Sequence, residues 1–150
     1  NITEAQIKET IQLLKRVGII AMGYAIIGFP KDSLESIEVT KKRIFDFNPH
    51  TLQLSFATPL PGSDLYKYCL KDNRIISDNW DDYVFLRKSI ILNDTVSCKD
   101  LAVLRRRIVK QFYFRLSKII ELVLFFTFRV RLDYRNCFKA AIKIALNIRK

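Results

Sequence analysis

Two apolar segments, residues 19–28 and 51–57, do most to limit how this chain can fold, because a single helical stretch lies between them. Two strands joined through a helix of about a dozen residues must run parallel, since a crossover of that length returns the chain to the same end of the sheet. The first segment, Ile19-Ile20-Ala21-Met22-Gly23-Tyr24-Ala25-Ile26-Ile27-Gly28, is apolar almost throughout and has no helical stripe. That pattern predicts a strand buried on both faces. The second alternates: Leu52, Leu54 and Phe56 on one face, Thr51, Gln53, Ser55 and Ala57 on the other. Helix signals surround both strands. Thr3 is positioned to cap a helix that carries Ile7, Ile11 and Leu14 on one face and stops at Gly18. Asp32 and Glu35 have the spacing of a capping box for the helix between the strands, which Asn48-Pro49 ends. After Thr58-Pro59-Leu60-Pro61-Gly62, Ser63 caps a further helix reaching about Asn73.

The expected class is therefore α/β with parallel strands. Two strands do not make a sheet that stands alone. In a closed (β/α) barrel, Leu52, Leu54 and Phe56 would lie outward under the helices. Thr51, Gln53, Ser55 and Ala57 would line the lumen, with Gln53 and Ser55 offering contacts to a ligand. An amphipathic strand in an ordinary open sheet is the alternative reading of the same alternation.

Charge divides the chain further along. The first 100 residues carry 13 basic and 13 acidic side chains, whereas residues 101–150 carry 13 basic ones and only Glu121 and Asp133. Residues 74–100 read as a polar, irregular connection, and Asp78, Asp81 and Asp82 around Trp80 make a poor metal site. From Asp100 the steps Leu101, Leu104, Ile108, Phe112, Leu116, Ile119, Val123 and Phe126 predict one long helix, about 39 Å at 1.5 Å per residue. A basic amphipathic helix is expected near Tyr134–Ile148. Cys69, Cys98 and Cys137 form no C-x-x-C, and His50 has no ligand-spaced neighbour, so neither a zinc site nor a disulfide framework is expected. Three reduced thiols suggest a cytoplasmic protein. The chain begins at Asn1 and enters a helix directly without a signal-peptide pattern, which is read as a piece of a longer chain.

The segment Ile26-Ile27-Gly28-Phe29-Pro30-Lys31-Asp32-Ser33 resembles the I-I-G-x-P-G-E-T of radical S-adenosylmethionine (radical SAM) enzymes. Thr58-Pro59-Leu60-Pro61-Gly62-Ser63-Asp64-Leu65-Tyr66 is similar to their T-P-x-P-G-T-x-L-Y, and the two matches are one βα repeat apart. A looser similarity at Leu101, Leu104, Arg105 and Phe112-Tyr113-Phe114-Arg115 points to the branch whose members often carry a cobalamin-binding domain in front. The resemblance implies that residues 1–73 are the last repeats of a partial (β/α) barrel, 74–100 a connection and 101–150 a mostly α-helical basic extension. It implies that Ile26 lies against the adenine of S-adenosylmethionine, that Gly28 lets the backbone approach, and that Thr58, Pro59 and Leu60 extend the same wall. The whole enzyme would hold S-adenosylmethionine and a [4Fe–4S] cluster. It would cleave the former reductively for hydrogen abstraction or methyl transfer. Lys31, Asp32 and Ser33 depart from the family's Gly, Glu and Thr, and Tyr24 from a smaller residue. The cluster-binding C-x-x-x-C-x-x-C loop is absent from this sequence. This piece is therefore expected neither to catalyse nor to bind the cofactors stably without an N-terminal half as its partner, and the small-molecule substrate is not legible.

A second reading takes the chain as a non-catalytic remnant whose basic helical tail binds a membrane surface or RNA. The apolar stretch within residues 116–132, beside Lys118, Arg129 and Arg131, is shorter than the ~20 residues that span a bilayer but suits peripheral contact with anionic lipid. RNA binding ranks lower, because the aromatics sit in apolar runs that favour burial over stacking and no RNA-binding motif is present.

Overall fold

A computed structural model describes residues 2–128. In chain order it has α1 (Glu4–Val17), β1 (Met22–Ile27), α2 (Leu34–Phe47), β2 (Thr51–Phe56), α3 (Asp64–Lys71), a single 3₁₀ turn at Trp80–Asp82, α4 (Cys98–Tyr113) and α5 (Leu116–Phe128). The fold is α/β, with five α-helices and a two-stranded parallel sheet among the described residues. The helix expected at Tyr134–Ile148, and Cys137, lie outside them.

Local chemistry sets most boundaries. Thr3 and Gln6 close a capping box on α1, and Gly18 ends it in the left-handed region at φ 78°. The α2 box differs from the expected Asp32–Glu35 pair: Ser33 is the N-cap and shares its box with Ser36. Asp32 is drawn away, its carboxylate accepting from the backbone N–H groups of Gly28 (2.8 Å) and Phe29 (3.1 Å). Asn48 ends α2 in the left-handed region.

The register pairs Met22 with Thr51, Tyr24 with Gln53 and Ile26 with Ser55 on one face. Gly23, Ala25 and Ile27 share the other face with Leu52, Leu54 and Phe56. That second face carries the core, where Ile37 and Ile44 of α2 meet Val96 and Leu101, Ile108 and Phe112 of α4. Gly23 is required by crowding, since a Cβ there would come within 2.7 Å of Pro49 Cγ.

Two expectations need correction. β1 is not buried on both faces: Met22, Tyr24 and Ile26 are exposed, because among the described residues helices cover one side of the sheet only. The long helix is two helices, broken at Phe114–Arg115. Arg115 turns inward, its guanidinium over the rings of Phe45 and Phe112 and donating to Asn48 Oδ1 at 2.9 Å, while its carbonyl starts α5. The apolar spacing runs through the break, so periodicity cannot reveal it.

The irregular stretch before α4 packs closely. Ile90, Ile91 and Val96 are buried, and Ile75 bridges Ile91 antiparallel. Asn93 Nδ2 donates to the carbonyls of Phe29 and Asp32, and Thr95 Oγ1 donates to that of Asp32, clasping the β1–α2 turn. Asp78, Asp81 and Asp82 form no metal cluster; Asp82 pairs with Lys88 and accepts from Ser77.

Candidate functional site

Both strands run the same way, so both motif turns leave the sheet at one end. The Ala57 N–H donates to the Ile27 carbonyl at 2.8 Å, extending the pairing one residue past β2 and setting the Gly28 and Thr58 turns side by side. Ile26 is 51% exposed on the open face, directly beside buried Ser55. Gln53, half-buried, lies next to Tyr24 one step down the same face. This end therefore presents an apolar side chain flanked by a hydroxyl and an amide. Such a surface suits a ligand with a flat apolar part and polar edges.

Each turn is held from behind. Gly28 takes φ 86°, which a side chain would oppose, and a Cβ there would meet Leu101 Cδ1 at 3.3 Å on the helix side of the turn. Lys31, where the radical SAM pattern that this segment resembles has glycine, does not take a positive φ; among the described non-glycine residues only Asn48 and Asn73 have one. In the second turn Thr58 Oγ1 donates to the Phe56 carbonyl at 3.3 Å, Pro59 is buried, and Leu60 is exposed. Pro59 thus shapes the path of the segment while Leu60 offers the apolar surface. Lower on the open face, Thr51 Oγ1 is buried without a hydrogen-bond partner among the described residues.

The two edges of the sheet are treated differently. Beyond β2, Tyr113 Oη accepts from the Leu52 N–H at 2.8 Å and donates to the Leu52 carbonyl at 3.1 Å. Arg105 Nε donates to the Leu54 carbonyl at 2.6 Å with its guanidinium over the Phe56 ring, and the Phe85 carbonyl accepts from the Phe56 N–H. Burial pushes the Arg105 pKa down, with Arg106 adding to it, so the carbonyl bond is what compensates the charge. These groups occupy the positions a third strand would use. β1 pairs with β2 alone among the described residues, and an open apolar cleft of about 410 Å³ runs along it, lined by Ile7, Ile11, Met22, Tyr24 and Ile44 among others. Arg105 was a detectable signal in sequence: it sits four residues after Leu101 and three before Ile108, where the stripe calls for an apolar side chain.

The opposite end of the strands holds an ionic node. Lys118, only 1% exposed, donates from Nζ to the Pro49 carbonyl (2.7 Å) and to Glu121 (2.5 Å), and Glu121 also pairs with Lys15 of α1. Burial pushes the Lys118 pKa down, and its bond to Glu121 opposes that. His50 is buried beside this node; its Nδ1 accepts from the Ala21 N–H at 3.0 Å and its ring meets Phe125. Burial lowers its pKa, Glu121 opposes, and Lys15 and Lys118 add to the lowering.

Metal ligation finds no support in the described side chains. No group of three or more His, Cys, Asp or Glu among them could hold an ion. Cys69 is buried against Ala57 and Ile91, and Cys98 donates to the Ile91 carbonyl. These thiols do not fit an iron–sulfur cluster. The residues at the open end do fit the adenine of S-adenosylmethionine, because Ile26 is exposed and apolar with Ser55 and Gln53 on its own face.

No protein-family model matches the chain. It is similar to an uncharacterized methyltransferase of Pyrococcus horikoshii, 30% identical over 120 residues that make up 80% of this chain and 26% of that protein. It is also similar to the anaerobic magnesium-protoporphyrin IX monomethyl ester cyclase of Rubrivivax gelatinosus, 38% identical over 65 residues, 43% of this chain and 12% of the cyclase. The chain thus spans about a quarter of the first relative and about an eighth of the second.

Proposed function

We propose that this chain is the closing part of a radical SAM barrel, in an enzyme that transfers a methyl group or abstracts a hydrogen. One observation carries the reading: the parallel pair ends at β2, where Tyr113 and Arg105 satisfy the outer backbone, and is open at β1. A sheet built this way gains further strands on the β1 side only. The motif turns at Gly28 and Thr58 share one end of that sheet, where ligands bind in barrels of this kind. Similarity to a methyltransferase and to a cyclase supports the same reading.

S-adenosylmethionine, when bound, would be the source of the methyl group or of the reactive adenosyl part. The work of this chain would be to hold it. Ile26 and Leu60 would give the adenine an apolar wall, Ser55 and Gln53 would offer hydrogen bonds, and the clasp of Asn93 and Thr95 would keep the Gly28 turn rigid. The iron–sulfur cluster and a cobalamin domain, where one exists, would lie in other parts of the enzyme. No step involving them depends on a residue described above.

The test uses the full-length protein, reconstituted anaerobically with iron and sulfide and titrated with S-adenosylmethionine. Placing a carboxylate at Ile26 (Ile26→Asp) is expected to weaken binding about tenfold, from lost apolar contact and the desolvation of a charge. Unchanged affinity in that variant, or no 5′-deoxyadenosine from the loaded wild-type enzyme under reducing conditions, contradicts the proposal.

A further inference from the structure

α5 turns its two charges inward, beside Phe125, which packs on the His50 ring. Its inward side carries its charges: Lys118 is buried and bonded to Pro49, and Glu121 bridges Lys118 and Lys15. Its outward side is apolar, with Leu116 (74% exposed), Ile119, Ile120, Val123 (57%) and Leu124 facing away from the domain. An ordinary surface helix does the reverse. The node that fixes α5 also fixes this orientation, because rotating the apolar side inward would strand Lys118 and Glu121 away from Pro49 and Lys15.

Charge indicates what the outward side meets. Arg129 and Arg131 follow α5 directly, and residues 129–150 carry seven basic side chains against the single acid Asp133. A second copy of the chain would bring the same positive charge to the contact. The first hundred residues, evenly balanced between acid and base, supply no compensating excess of acid. The apolar stretch between Lys118 and Arg129 is interrupted by Glu121 and is far shorter than the ~20 residues that span a bilayer. No helix among the described residues is long and apolar enough to cross a membrane. An apolar helix face followed by a cationic chain matches the boundary between acyl chains and anionic headgroups.

We propose that α5 docks on an anionic lipid surface, its apolar side in the headgroup region and the basic chain after it held by the lipid charge. This does not depend on the radical SAM reading. It would locate the protein's chemistry beside a membrane whatever that chemistry is.

The experiment is co-sedimentation of the 150-residue chain with vesicles of phosphatidylcholine alone or with phosphatidylglycerol added. The anionic vesicles are expected to bind at least about tenfold more tightly, and added salt to weaken them. Ile120→Glu with Val123→Glu should abolish the difference while circular dichroism shows the fold intact. Arg129→Gln with Arg131→Gln changes two residues outside the described ones and gives a second test should the first pair disturb folding; with circular dichroism showing the fold intact, it should weaken anionic binding severalfold. Equal binding to both vesicle types, or binding unchanged by both pairs, overturns the proposal. So does a dimer broken by Ile120→Glu in the absence of lipid binding. Binding by this chain but not by the full-length protein also overturns it, because the rest of the enzyme would then cover the face.

Discussion

The two edges of the small sheet differ in how their backbone is satisfied. At β2 the outward N–H and C=O of Leu52, the carbonyl of Leu54 and the N–H of Phe56 all have partners, from Tyr113, Arg105 and Phe85. At β1 the edge lies along an open apolar cleft, and the side chains of Met22, Tyr24 and Ile26 are exposed. Buried backbone groups must be paired, so a strand capped by side chains of a following helix is one after which no other strand is added. The difference teaches direction. Under the function proposed above, it gives the side on which further strands would join a two-stranded parallel pair.

Breaking the closed edge should cost most. Arg105→Met keeps the stem but leaves the Leu54 carbonyl unpaired beside the core, for an expected loss of about 2 kcal/mol, the scale of a hydrogen bond from a charged donor. Tyr113→Phe removes one hydroxyl that serves both backbone groups of Leu52 and should cost about 1 to 2 kcal/mol, read from urea unfolding. The equivalent change at the open edge, Tyr24→Lys, should stay within about 0.5 kcal/mol, because Tyr24 is exposed and its edge pairs with nothing among the described residues. Comparable losses at both edges would remove the asymmetry.

A smaller effect sharpens the comparison from below the sheet. The His50 pKa is depressed in the folded state, mainly by burial, below its ordinary 6.5. The unfolded chain therefore binds the proton more readily. The stability that neutral His50 contributes is complete above about pH 6.5 and is lost as pH falls through the lowered folded value. The midpoint of thermal unfolding should drop between pH 7.5 and 5.5 in the wild type and drop less in His50→Asn, which keeps an acceptor for the Ala21 N–H.

Much of this was legible from residue order, and the exceptions have a common physical cause. The alternation at Leu52, Gln53, Leu54, Ser55 and Phe56 declared which side of β2 meets the helices, and the register agrees. The capping residues Thr3 and Ser63 and the stop at Gly18 were equally readable, because their chemistry is local. β1 misled because Met, Ala and Ile report apolarity and not whether anything covers it. The break at Phe114–Arg115 was hidden by a spacing that continues through it. The clasp of Asn93 and Thr95 on the Phe29–Asp32 turn joins residues more than 60 apart in a stretch without periodicity, so no pattern announced it. At the candidate site, pairing of Ile26 with Ser55 needed the register, whereas the two motif turns were visible as residues.

Backbone hydrogen exchange of the 150-residue chain, read amide by amide, tests the edge asymmetry most directly. The Leu52 and Phe56 amides should be protected to a degree comparable with the α4 core, and those of Tyr24 and Ile26 should exchange many times faster. Protection of Tyr24 and Ile26 equal to that of Leu52 and Phe56 would mean that β1 is already covered, and the sheet would have no side left on which to grow.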